Sequence, residues 1–123
     1  MKRVLIIDDD ELQLDYIRAL FSRFFPKVKL DCANTFSKGI SLLSKNYYSL
    51  IILDLMLPDK SVLGVLSEIN TENKVPILVL SGREELSKNE EWQYYLLDST
   101  DFVSKEIKPA DLAKLISTKL IVY

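Results

Sequence analysis

Three acids in a row, Asp8, Asp9 and Asp10, directly follow the apolar run Val4 to Ile7, and a fourth, Asp54, closes a second apolar run. Ser81 ends a third such run, and Lys105 follows a fourth, shorter one. Carboxylates gathered together raise each other's pKa unless a cation compensates. An oxygen-only donor set suits a hard ion such as Mg2+, which takes a few protein oxygens and keeps several waters. A carboxylate beside that ion can attack phosphorus to give an aspartyl phosphate, with a lysine and a hydroxyl to steady the transferring group. The chain has no histidine, so the commonest metal ligand and the commonest neutral-pH base are both missing. Taken singly, each residue has a plainer reading. Asp8 to Asp10 could cap a helix, Ser81 could be a turn residue and Lys105 a solvated lysine. An acid closing an apolar strand is costly unless paired, so Asp54 is the hardest to explain that way.

What could bring these residues together is the alternation of elements. Strand patterns at 3–8, 28–33, 49–54, 76–81 and 101–104 alternate with helical patterns at 11–25, 35–45, 61–69, 84–97 and 109–120. Thr35 is a candidate N-cap, Pro26 stops the first helix, and Pro109 sits in the first turn of the last. In the first helix Ile17, Leu20, Phe21 and Phe24 recur at helical spacing as its core face. Cys32 is expected to be a small buried side chain, and Tyr47, Tyr48, Tyr94 and Tyr95 packing or rim residues. Five strand–helix units with short connections predict an α/β fold, a doubly wound five-stranded parallel sheet in the order 2-1-3-4-5 with helices on both faces. In such a sheet functional residues collect beyond the carboxyl ends of the strands, where the order reverses. Asp8, Asp9, Asp54, Ser81 and Lys105 all stand at such ends.

The bulk numbers set the class. At 123 residues with 48% hydrophobic and 28% charged content, the chain reads as one globular domain over 1–123. A formal charge of -2 argues against a phosphate-backbone binder. The single cysteine fits a reducing compartment, and the basic start meets Asp8 too early for a signal peptide. No apolar stretch approaches membrane-spanning length, so the expected location is cytoplasmic.

With its motifs in this order, Asp8–Asp9, "LDLMLP" around Asp54, "PILVLSG" ending on Ser81 and "DFVSK" ending on Lys105, the chain resembles a response-regulator receiver domain of two-component signalling, over nearly its whole length. The resemblance implies that Asp54 is the phosphoacceptor. It implies Mg2+ ligation by Asp9 directly and Asp8 mainly through water, with Asp54 and the Met56 carbonyl completing the protein ligands. Lys105 would pair with a phosphoryl oxygen, while Ser81 and Phe102 would be the switch residues. It implies a phosphoryl supply from a histidine kinase or histidine phosphotransfer protein, and a downstream output domain or protein reached through the face of the fourth helix, fifth strand and fifth helix. A phosphorylation-dependent dimer belongs to the same set of expectations. Such a domain is no enzyme beyond its own phosphorylation and dephosphorylation.

Met56 and Arg83 flank the water path in such domains, and a thioether orients water poorly, so slow dephosphorylation is expected. Leu12, Tyr16 and Ala19 form a side stripe on the first helix expected to meet the kinase. Three positions depart from the family pattern: Glu106 where proline is usual, and Val62 and Asp98 where glycine is usual. A phosphorylation-independent pseudo-receiver is the rival reading, and the full acid set with Ser81 and Lys105 argues against it. A Mg2+-dependent phosphohydrolase would need a second acid just after the nucleophile, where Leu55 and Met56 stand.

Overall fold

A computed structural model of the chain describes residues 2–54, 75–81 and 100–120, with only the backbone at Ser81, Thr100 and Phe102. Strands β1 (Arg3–Ile7), β2 (Lys29–Ala33), β3 (Leu50–Asp54), β4 (Ile77–Ser81) and β5 (Thr100–Ser104) form one parallel sheet in the order β2-β1-β3-β4-β5. Helices α1 (Glu11–Phe24) and α2 (Phe36–Lys45) follow the first two strands, and a C-terminal helix (Pro109–Lys119) follows the last. The helical patterns at 61–69 and 84–97 lie outside the described residues, as do Val62 and Asp98.

Val4 to Ile7 of β1, Leu50 to Leu53 of β3 and Ile77 to Leu80 of β4 are apolar at every position because both faces of the sheet are covered there. Leu5, Ile7, Ile51, Leu53, Ile77 and Val79 lie on the face covered by α2 and form one cluster with Ala33, Tyr48 and Phe36 of α2. Val4, Ile6, Leu50, Ile52, Leu78 and Leu80 face the other way, against Leu14, Ile17, Leu20 and Phe21 of α1 and Leu112 and Ile116 of the C-terminal helix. Each such side chain, fully buried, contributes about 1.5–3 kcal/mol. Gly39 lets α2 lie directly on β1, since a Cβ there would stand 2.8 Å from Ile7 Cγ1.

The helix starts are set locally. Asp10 caps α1, its side chain accepting from the Leu12 amide at 3.0 Å, and Thr35 caps α2 by accepting from Lys38 N at 3.2 Å. Pro109 opens the C-terminal helix, where a missing N–H costs nothing. Two expectations need correction. Phe24 is 39% exposed and does not face the core. The chain leaves the helix at Phe25, whose ring turns against Phe21 at 5.1 Å between centroids and takes the inward place, while Arg23 covers the Phe24 ring. Cys32 is half-buried, because β2 is an edge strand and only one flank is paired. Among the described residues no helix is long and apolar enough to cross a membrane.

Candidate functional site

Register carries the site residues to one edge. Ile7 pairs with Leu53, so the next residues, Asp8 and Asp54, emerge side by side where the order turns from β1 to β3. Asp54 pairs with Leu80, one residue before Ser81, and Ser81 pairs with Ser104, one residue before Lys105. Asp8 is 2% exposed and Asp54 4%, while Asp9 is exposed. Each of the three offers a carboxylate oxygen within 4.8 Å of the others. Lys105 Nζ stands 3.1 Å from Asp54 Oδ1. The Asp8 amide donates to the Ala33 carbonyl at 3.0 Å, which ties the turn after β1 to the end of β2.

Burial chiefly, opposed by the Asp10 amide and reinforced by the negative charge of Asp54, pushes the Asp8 carboxyl up to about 7. Two carboxylates this deep beside each other favour any cation that can reach them. The donor set fits Mg2+. All three acids offer hard oxygens, and oxygens within 4.8 Å of one another are near enough to share one ion directly or through its waters.

The structure brings together Asp8, Asp9, Asp54 and Lys105. It places the backbone of Ser81 at the same edge and that of Phe102 in mid-β5 opposite Val79, without describing either side chain. Met56 and Arg83 lie outside the described residues. On α1, Leu12 is 79% exposed and Ala19 exposed, whereas Tyr16 is half-buried against the core. Tyr16 and Ala19 line a hollow of about 170 Å³ with Leu20, Arg23, Phe24 and Pro109. The Lys105–Glu106 peptide is trans, and the N–H that a proline would lack donates to Ser104 Oγ at 3.1 Å. Sequence reasoning gave Asp10 only a generic capping role. Its amide in fact donates to Asp8 Oδ1 at 2.9 Å, a link that the acid-x-acid spacing could have suggested.

A doubly wound parallel sheet with a buried acid pair and a lysine at its switch point defines a class in which a charged ligand is handled beyond the strand ends. The comparison with known proteins narrows it. The chain matches the response regulator receiver domain over residues 4–117 and belongs to that family, whose members are switches of two-component signalling. It is 36% identical to the transcriptional regulatory protein PmrA of Pectobacterium parmentieri over 70% of its length, covering 38% of that protein. It is 27% identical to the regulatory protein VanRB of Enterococcus faecalis over 96% of its length, covering 52% of it. The chain thus spans about half, or less, of these curated relatives. Among solved structures, a CheY-like receiver domain from Methanospirillum hungatei superposes with a TM-score of 0.82 at 24% identity, covering 98% of this chain and 94% of that one. A two-component response regulator from Clostridium difficile gives 0.83 at 20% identity, covering 98% and 96%. Both likenesses concern the fold.

Proposed function

We propose that residues 1–123 form one receiver domain that accepts a phosphoryl group on Asp54 from a histidine kinase or a histidine phosphotransfer protein. The observation that carries this reading is a nearly buried Asp54 held 3.1 Å from Lys105 within a cluster of three acids. An Asp54 oxygen forms the new bond to phosphorus while the phosphorus–nitrogen bond of the donor breaks and its electron pair stays on the imidazole. Lys105 stays close to Asp54 and pairs with a phosphoryl oxygen as negative charge arrives. Asp9, Asp54 and the Met56 carbonyl would hold Mg2+ directly and Asp8 through water. The ion, when bound, neutralises the phosphoryl oxygens.

Once phosphorylated, the site draws in the Ser81 hydroxyl, Phe102 follows, and the face around β5 and the C-terminal helix changes to suit a downstream output domain or protein. This is a two-state equilibrium biased by a local charge change. Met56 and Arg83, second in sequence after Asp54 and Ser81, make the acyl phosphate slow to hydrolyse. The stripe of Leu12, Tyr16 and Ala19 receives the kinase. The domain works in the cytoplasm and binds neither nucleic acid nor membrane itself; pairing of two phosphorylated copies is the remaining element of the proposal. Incubation with acetyl phosphate and Mg2+, read by intact mass, tests the chemistry. One phosphoryl adduct on the wild type and none on Asp54→Ala is expected. An equal adduct on both, or none on the wild type, overturns the assignment.

A further inference from the structure

Within the run Asp8-Asp9-Asp10 the three carboxylates do different jobs. Asp8 is buried, and its Oδ1 accepts from the Asp10 amide at 2.9 Å. Asp10 is exposed, and its own Oδ1 accepts from the Leu12 amide at 3.0 Å. The Asp10 carbonyl accepts from Leu14 N at 3.0 Å, the first bond of α1. Asp10 is thereby tied on both sides: Oδ1 and carbonyl to the helix, amide to Asp8. Its carboxylate is not part of the close group formed by Asp8, Asp9 and Asp54.

We infer that Asp10 is the positioning residue of the cation site: by capping α1 it fixes the backbone so that its amide holds the Asp8 carboxylate in place and leaves Asp9 facing the ion. The inference rests on the proposed Mg2+ site and concerns geometry, not charge. Two hydrogen bonds of the same kind, in each of which a carboxylate accepts from the amide two residues on, run in series from Asp8 to Leu12. Loss of the second frees the backbone that supplies the first. Asparagine at position 10 can make the same cap without a charge, and alanine cannot. A distant negative charge also attracts a divalent ion, so these two substitutions separate the explanations.

The experiment is a MgCl2 titration of the wild type, Asp10→Asn and Asp10→Ala, followed by amide shifts in two-dimensional NMR, with hydrogen exchange of the amide at position 10 measured alongside. Asp10→Ala is expected to bind Mg2+ about three- to tenfold more weakly and to lose exchange protection at position 10. Asp10→Asn should stay within about twofold of the wild type and keep that protection. If the alanine variant does not fold, Asp10→Gly, which also lacks the acceptor but is tolerated at helix starts, is expected to lose the same exchange protection at position 10 and to bind Mg2+ more weakly than Asp10→Asn. Equal weakening in the asparagine and alanine variants overturns the inference in favour of charge alone, and unchanged affinity in the variants without a cap overturns it outright. Absence of Mg2+ binding in the wild type is a different result, for it removes the cation site itself.

Discussion

Near the amino ends of the strands, Arg3 Nε lies 3.2 Å from Asp31 Oδ2, the Tyr48 hydroxyl donates to that same oxygen at 2.7 Å, and Arg3 also donates to Asn46 Oδ1. At the carboxyl ends, three acids within 4.8 Å of one another face Lys105. The first group carries one positive and one negative charge and closes on itself. Among the described residues the second carries a surplus of negative charge, and two of its acids are nearly dry. A balanced network of half-buried charges belongs to the architecture, whereas gathered carboxylates favour a cation beside them. The same sheet thus carries at one end polar groups that close on one another and at the other a cluster of acids around a single described lysine.

That contrast can be broken by neutralising one acid at each end. Asp31→Ala, which strands Arg3 and Tyr48 together, should cost about 1–3 kcal/mol in urea unfolding. Asp8→Asn should act in the opposite sense. In metal-free buffer it removes a buried charge beside another, and the unfolding free energy should rise by roughly 1–2 kcal/mol. A loss of stability there would show that the acid cluster is architectural after all. Mg2+ sharpens the comparison further. At about ten times its Kd it should add about 1.4 kcal/mol to the wild type by linkage and nothing to Asp9→Ala, as read by thermal melts.

The smallest effect is a pH dependence at the closed end. Burial chiefly, and then the hydrogen bond to Asp31, pushes the Tyr48 hydroxyl up to about 12 from an ordinary 10.0. The folded state therefore holds this proton more tightly than the unfolded one. Its contribution is complete below pH 10 and is lost as pH rises from there through about 12. Tyr48→Phe should lack that part of the alkaline loss in urea midpoints taken across the same range.

Much of this was legible before any coordinates. Runs such as Leu50 to Leu53 have no polar face, so only a sheet covered on both sides could accommodate them, and the acids at their ends then had one place to go. Periodicity failed where the helix itself stopped. Phe24 fits the apolar spacing, but spacing cannot register that Phe25, one residue on, leaves helical geometry and takes the inward position. Leu14, buried in α1, was passed over because polar neighbours hid it. The Arg3–Asp31–Tyr48 network left no signal at all, since its members come from three separate segments and only pairing of β1 with β2 and β3 brings them together. The same limit applied to Asp10, whose composition suggested a cap but whose amide partner depended on the turn.

The strand order has a consequence for a chain emerging from the ribosome. β1 is made first yet lies between β2 and β3, so its two flanks are satisfied only after Asp54 has been synthesised. Lys105 arrives later still, after the last strand. Asp8, Asp9, Asp54 and Lys105 therefore cannot come together until synthesis has passed Lys105. Slow, long-range pairing of this kind makes the acid cluster and its lysine a late product of folding.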